Sequence, residues 1–164
     1  MNINVICIGK LKEKYWQDAA AEYIKRLGAF CNVKIVELKE ARLPQNASAS
    51  DEARVIREEG EAILGKLDKA DYVVALAIEG KSIDSPELSR LIGEIFGGEK
   101  DGRSYRTVDF IIGGSLGLSD EVKKRANYLL SFSRMTFPHQ LARVLLLEQI
   151  YRAFKISAGE TYHK

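Results

Sequence analysis

The sequence contains few residues of the types that build disulfide scaffolds or metal centres. Its 164 residues include two cysteines and two histidines. Cys7 and Cys31 lie in or beside strand-like runs without a C-x-x-C spacing, so we expect both to be small buried apolar side chains in a reducing compartment. His139 and His163 are too few to give a zinc ion its usual three or four nitrogen or sulfur ligands. The sequence therefore predicts no metal site.

Long apolar runs are also missing. The longest one, 72–78, has only seven residues, whereas a helix needs about 20 apolar residues to span a bilayer. The N-terminal segment places its apolar stretch before its lysines, which is the reverse of a secretory signal. We therefore expect a cytoplasmic protein with no membrane association.

The net charge is small but unevenly distributed. It is +2 for the whole chain, which is too little to indicate a nucleic-acid-binding protein by itself. Residues 123–164 nevertheless contain eight basic and two acidic side chains, while residues 37–71 contain nine acidic and six basic ones. This asymmetry suits a polyanionic partner bound by one face, and an ordinary solvated surface explains it equally well.

Apolar periodicity predicts strands that alternate with helices. The predicted strands are 3–8, 33–38, 72–78, 108–112 and 128–132, and the predicted helices are 12–27, 50–67, 85–96, a short helix from 119, and 138–155. We expect Ser50 or Asp51 to cap the second helix, and Ser85 to cap the third with Pro86 at its first position. The pattern predicts a single α/β domain, 1–164, with a mostly parallel five-stranded sheet flanked by helices.

The last predicted helix is apolar around most of its circumference. Its apolar positions are Leu141, Val144, Leu145, Leu146, Leu147, Ile150, Tyr151 and Phe154. A helix that is apolar on more than one face must be buried on each of them, by its own sheet and by a second subunit. This pattern favours a homodimer, with burial inside the chain's own domain as the alternative for most of these positions.

Three loops at the ends of predicted strands are suited to ligand binding. They are 79–81, 113–118 and 133–140, and ligands of open parallel sheets bind at the carboxyl ends of the strands. The glycine-rich loop also imitates a nucleophile elbow with Ser115 as nucleophile, and a dinucleotide-binding turn. No oxyanion-hole motif precedes the loop, so a hydrolase is a minor alternative. No acidic residue follows it by about 20 positions, so a dinucleotide enzyme is a minor alternative too. Its glycines require close backbone approach, either to another segment or to a ligand.

Three stretches of sequence resemble a known family. They are ICIGKLKEKYW near the start, IIGGSLGL in the glycine-rich region, and the C-terminal run SFSRMTFPHQLARVLLLEQIYRAFKISAGETYHK. Together they are similar to the ribosomal RNA large subunit methyltransferase H family of the SPOUT, or α/β-knot, class, over essentially the whole chain. The resemblance implies a trefoil-knotted domain, a homodimer, S-adenosylmethionine as methyl donor, and methylation of N3 of a pseudouridine in 23S ribosomal RNA within assembled ribosomes.

The resemblance also implies a set of binding residues. Those that correspond to the family's cofactor contacts are Leu76, Gly113, Phe132, Ser133, Arg134, Met135, Thr136 and Phe137. The substrate would be bound by Arg134 and by the C-terminal Tyr162, His163 and Lys164, which together can stack on a base, exchange a proton and hold a phosphate. For Leu76 and Phe132 the alternative is plain core packing, and for the tail it is a frayed terminus.

The sequence does not identify the residue that accepts the proton. Methyl transfer to a ring nitrogen depends mainly on positioning and on deprotonation of that nitrogen. His163 is the candidate base, and His139 is less suited because it stands at a predicted helix start, where its ring can satisfy backbone groups. A non-catalytic ribosome-binding module and a nucleotide-dependent oxidoreductase are the alternatives to an rRNA methyltransferase.

Overall fold

A computed structural model describes residues 1–162, so the predicted tail residues His163 and Lys164 lie outside the described part of the chain. The elements, in chain order, are β1 (Asn2–Ile8), α1 (Lys14–Leu27), β2 (Asn32–Leu38), α2 (Ala49–Leu64), β3 (Tyr72–Ser82), α3 (Ser85–Gly97), β4 (Thr107–Ile112), α4 (Asp120–Arg125), β5 (Tyr128–Ser131) and α5 (His139–Ser157). Strands alternate with helices as the sequence predicts, which confirms the α/β class.

The five strands form one parallel sheet in the order β2-β1-β4-β3-β5. The chain reaches β4 only after β3, yet β4 lies between β1 and β3. Because all five strands run the same way, their carboxyl ends share one edge of the sheet, where ligands of such folds bind. The predicted sheet is therefore confirmed, while the threading that would make the fold a trefoil knot stays a prediction from the resemblance.

Helices cover both faces of the sheet and bury two apolar cores. The larger core lies under α1, α3 and α5, and the smaller one lies under α2 and α4. Alternate residues of β1 supply the two sides: Val5 and Cys7 point to the first core, and Ile6 and Ile8 to the second. Strands buried on both faces explain why the strand segments read as nearly continuous apolar runs.

Two helix starts differ from the sequence predictions. The cap of α2 is Ser48, whose hydroxyl accepts a hydrogen bond from the Asp51 N–H while the Asp51 carboxylate accepts one from the Ser48 N–H. The cap of α3 is Asp84 rather than Ser85, with Glu87 as its reciprocal partner. In both cases a paired capping box satisfies two backbone donors, where the predicted caps would have satisfied one.

The end of β3 is longer and more irregular than predicted. The strand continues to Ser82, and its pairing with β5 shifts register between Leu76 and Lys81. At Gly80 the two backbones touch, since a Cβ there would lie 2.7 Å from the carbonyl carbon of Leu130. A residue with a side chain would not fit where the two backbones come this close.

Both cysteines are free and buried, as predicted. Burial raises the pKa of the Cys7 and Cys31 thiols to about 11, so both remain protonated at neutral pH. They act as small apolar side chains of the larger core.

Candidate functional site

A cavity of about 770 Å³ opens at the carboxyl edge of the sheet. Its walls come from the end of β3, the glycine turn after β4, the loop after β5 and the first turn of α5. The volume falls in the range of pockets that hold a nucleotide-sized ligand. The three loops that follow β3, β4 and β5 therefore meet in one place, as the strand-end argument predicted.

Most of the predicted cofactor contacts line this cavity. They are Leu76, Gly113, Phe132, Ser133, Met135, Thr136 and Phe137. Arg134, the remaining one, is exposed and is not among the lining residues. The structure thus brings the predicted set together with one exception, and the role of its members as cofactor contacts stays a prediction.

The glycine turn after β4 folds back tightly on itself. Gly114 and Gly117 form an isolated bridge, and Gly117 has a φ of +82°, a backbone conformation that favours glycine. A Cβ at Gly113 would lie 2.8 Å from the Gly117 carbonyl oxygen. Gly113 therefore approaches another segment of its own turn. Ser115 is exposed in the turn, and the helix starts only after the Ser119 cap, so this is not the direct strand-to-helix turn of a nucleophile elbow.

Glu59 of α2 lies directly behind this turn. Its side chain is 4% exposed, and a Cβ at Gly114 would lie 2.5 Å from its Oε2 atom. The Ala41 N–H donates to Oε1 at 3.0 Å, while Oε2 has no hydrogen-bond partner within residues 1–162. Burial raises the pKa of the Glu59 carboxyl. Sequence analysis missed this residue because its position depends on how α2 packs against a turn far away in the chain.

The loop after β5 is held by its own serines. The Ser131 hydroxyl donates to the Ser133 carbonyl oxygen at 3.0 Å, and the Ser133 hydroxyl accepts from the Met135 N–H, also at 3.0 Å. Met135 is 69% exposed at the cavity rim, whereas Phe132 is partly buried against the larger core. The loop therefore presents an apolar wall and a folded backbone to the cavity.

An ion pair also lies beside the cavity. The Lys123 Nζ atom is 2.6 Å from a Glu79 carboxylate oxygen, and both residues line the cavity. Their hydrogen bond lowers the pKa of Glu79, so this carboxylate stays ionised and paired. Glu79 was within a predicted loop, but Lys123 was not predicted, because α4 reaches the cavity only through tertiary packing.

The N-terminus of α5 meets the end of β1 beside the cavity. His139 lines the cavity and faces Gly9, where a Cβ would lie 3.4 Å from Nε2. The predicted helix start is found here, since α5 begins at His139, and its cap position Pro138 has no side-chain cap. Below it, the fully buried Arg143 donates to the Gly9 carbonyl oxygen at 3.0 Å and to Glu37 at 2.6 Å. This buried guanidinium fixes the end of β1 against α5.

The loop between β1 and α1 is fastened to the same place. The Leu11 N–H donates to Glu37 Oε1 and the Lys12 N–H to the Gln140 side chain, both at 3.2 Å. Lys10 and Lys12 are exposed on this loop. The fixed backbone thus holds two lysines near the His139 side of the cavity.

Tyr162, the described end of the predicted tail, packs against α5. Its hydroxyl donates to Glu148 at 3.3 Å, its ring lies edge-on to Tyr151 at 5.0 Å, and the Arg152 guanidinium lies 4.7 Å from the ring centre. Tyr151 is twelve residues beyond His139, a rise of about 18 Å along the helix. Tyr162 and the cavity of the same chain are therefore at different ends of α5.

Neither a metal site nor a membrane-spanning helix is present in the described part of the chain. Within residues 1–162, no three side chains of His, Cys, Asp or Glu are grouped closely enough to hold a metal ion. None of the helices over the same range combines the length and apolar character needed to cross a bilayer.

Comparison with known proteins places these features in context. A family model described as a predicted SPOUT methyltransferase matches residues 1–163. The chain is 56% identical to a Clostridium novyi protein and 51% identical to an Oenococcus oeni protein, each called ribosomal RNA large subunit methyltransferase H. Both alignments cover the whole of this chain. They cover 100% of the Clostridium novyi protein and 99% of the Oenococcus oeni protein. A solved structure of a probable methylase family protein from Haemophilus influenzae has a TM-score of 0.54 at 14% identity, covering 99% of this chain and 70% of its own, which shows likeness of fold alone.

Proposed function

Because this chain belongs to the SPOUT methyltransferase family, we propose that it transfers a methyl group from S-adenosylmethionine to N3 of a pseudouridine in 23S ribosomal RNA. The observation that carries this proposal is full-length identity of 51% and 56% to relatives that are named as large-subunit rRNA methyltransferases. Such a protein works on ribosomes, so its proposed location is the cytoplasm.

The cavity fits the proposed cofactor. An adenosyl group needs an apolar slot for its ring and close backbone approach along the ring edge. Leu76, Leu118 and Phe132 supply apolar walls, and the turn at Gly113 supplies backbone without side chains. We assign the ring to the space between these walls and the loop after β5.

The chemistry requires little more than positioning and removal of one proton. S-adenosylmethionine supplies a methyl group on a cationic sulfur; the new bond joins N3 to the methyl carbon, the sulfur keeps the electron pair of the broken bond, and the N3 proton passes to a base. The protein's role is to hold N3 in line with the methyl carbon and the sulfur, and to exclude water from the site. His163 remains the candidate base from the sequence, and His139 is a second imidazole that lines the cavity.

The tail is proposed to serve a second subunit. Since Tyr162 packs on Tyr151, far along α5 from His139, it cannot reach the cavity of its own chain without leaving this position. In a homodimer joined through α5, the tail of one subunit would bind substrate at the pocket of the other. Arg134, exposed beside the pocket, keeps its proposed substrate-binding role.

Calorimetric titration tests the cofactor assignment. We expect the purified protein to bind S-adenosylmethionine and S-adenosylhomocysteine but not NAD, because no acidic residue follows the glycine turn at the spacing of about 20 positions that a dinucleotide site uses to bind the ribose. Binding of NAD alone would favour an oxidoreductase. Binding of none of the three would contradict the proposal and favour a non-catalytic ribosome-binding module.

A further inference from the structure

Glu59 places a carboxylate immediately behind the backbone of the pocket. We propose that Glu59 is a specificity-determining residue that favours binding of the cationic methyl donor over the neutral, demethylated product. The inference rests on the proposed function, because it concerns how the same pocket distinguishes S-adenosylmethionine from S-adenosylhomocysteine.

The geometry leaves only a glycine between Glu59 and the cavity. Gly114 lines the cavity on one side, and on the other side a Cβ at this position would lie 2.5 Å from Glu59 Oε2. The next residue of α2, Gly60, is equally close to α4, since its Cβ would lie 2.4 Å from the Ser119 hydroxyl oxygen. The absence of side chains at both glycines lets α2 press the carboxylate against the pocket wall.

The carboxylate is only half satisfied by the protein. One oxygen accepts the Ala41 N–H, and the other is buried without a hydrogen-bond partner in the described residues. The charged groups that act on it, Glu40 from the loop after β2 and Glu58 from α2 itself, are also acidic and, like burial, raise its pKa. Ser119, the cap of α4, lies against the neighbouring Gly60 and contributes no charge. A cation on the far side of Gly114 would therefore stabilise an otherwise costly anion.

The other carboxylate at the cavity does not have the same effect. Glu79 lines the rim, but Lys123 neutralises it at 2.6 Å. The negative potential at the glycine turn thus comes mainly from Glu59. Loss of the methyl group removes the positive charge from the ligand's sulfur. The product would therefore lose the attraction to Glu59, and the donor would displace the product more readily.

The test compares dissociation constants of two ligands in two matched variants. Calorimetry at pH 8 would give Kd for S-adenosylmethionine and S-adenosylhomocysteine in the wild type, in Glu59→Gln and in Glu58→Gln. We expect Glu59→Gln to weaken donor binding about tenfold, the order expected for two unit charges separated by one residue near a protein surface. Its affinity for the product should stay within about twofold. Glu58→Gln removes the same charge from an exposed neighbour that is paired with Arg54 at 3.0 Å, so it should change each value by less than about twofold.

Three results would overturn the inference. These are equal weakening of both ligands in Glu59→Gln, an unchanged ratio of the two Kd values, and an equal effect of Glu58→Gln. If Glu59→Gln does not fold, Glu59→Asp, which keeps the charge, replaces it in the comparison. We expect Glu59→Asp to keep the wild-type ratio of the two Kd values. A tenfold change in that ratio would overturn the inference. A wild-type protein that binds neither ligand would instead contradict the proposed function.

Discussion

Gly113 sets the shape of the pocket through a contact inside its own turn. A valine at this position would bring its Cβ to 2.8 Å from the Gly117 carbonyl oxygen and 3.0 Å from Leu118, so the turn must open. We expect Gly113→Val to fold but to lose at least tenfold in affinity for S-adenosylhomocysteine, since a displaced turn changes the pocket wall. Calorimetry measures the loss and circular dichroism checks the fold. Unchanged affinity in a folded variant would place the ligand elsewhere.

Asp109 provides a test of stability far from the pocket. It is fully buried in β4, where one oxygen accepts from Asn4 at 2.7 Å and the other has no partner in the part of the chain described. Burial, opposed by the Asn4 hydrogen bond and supported by the charge of Asp71, raises the pKa of Asp109 to about 6. The folded protein therefore holds this proton to higher pH than the unfolded chain does. The raised pKa of Asp109 therefore stabilises the folded state fully below about pH 4, and this stabilisation is lost as the pH rises through 6.

The variant Asp109→Asn removes that pH dependence. It keeps an oxygen for Asn4 and avoids a buried charge, so we expect it to be more stable than wild type by about 1–3 kcal/mol at pH 7 and nearly equal at pH 4. Urea unfolding at both pH values measures the difference. Asp18→Asn, an exposed acid on α1, is the control and should leave the pH profile unchanged. The same difference for Asp109→Asn at both pH values would contradict the account.

Among the elements, the loop between β1 and α1 is the one we expect to contact RNA. Its backbone is fixed to Glu37 and Gln140, and it carries the exposed Lys10 and Lys12 near the His139 side of the cavity. Replacing both lysines with glutamine should weaken ribosome binding and reduce the slope of log affinity against log salt by about 1–2, without changing affinity for S-adenosylhomocysteine.

A matched pair of lysines provides the control for that loop. Lys66 and Lys69 are exposed on the connection between α2 and β3, at the opposite edge of the sheet. Replacing them removes the same charge, and we expect no change in salt slope. An equal effect of the two double variants would mean that net charge, rather than this loop, determines ribosome binding.

Sequence patterns identify elements more readily than the contacts between them. The ends of the parallel strands could be assigned from apolar runs, and this was sufficient to select the loops 79–81, 113–118 and 133–140, whereas Leu76 and Phe132 came from the family resemblance. Helix caps were misplaced by one or more residues, because a reciprocal capping box competes with single capping side chains of similar propensity. Glu59 and Lys123 could not be identified, since their helices reach the pocket by packing that no local periodicity encodes.

At the scale of the whole molecule, we expect α5 to pack against a second subunit. Leu146, Leu147 and Ile150 are fully buried in the chain's own core, whereas Val144 and Leu145 remain partly exposed. We expect sedimentation at micromolar concentration to show a particle of twice the 18.4 kDa chain mass. A monomer at that concentration would contradict the dimer.

Mixed dimers test whether the tail acts in the partner's pocket. One subunit would lack residues 162–164 and the other would carry Gly113→Val, so neither homodimer should methylate ribosomes. After subunit exchange, half of the dimers are mixed and each has one complete site, so activity should return to about a quarter of wild type. No recovery with proven exchange would mean that the tail serves its own chain.

Methyl transfer to ribosomes tests the central claim most directly. Ribosomes that lack the modification would be incubated with the purified protein and S-adenosylmethionine carrying a labelled methyl group, and the 23S rRNA would be digested to nucleosides and analysed by mass spectrometry. We predict label in a single N3-methylated pseudouridine per 23S rRNA, and none with Gly113→Val. Label in a different nucleoside, or no label while the protein binds the donor, would contradict the account.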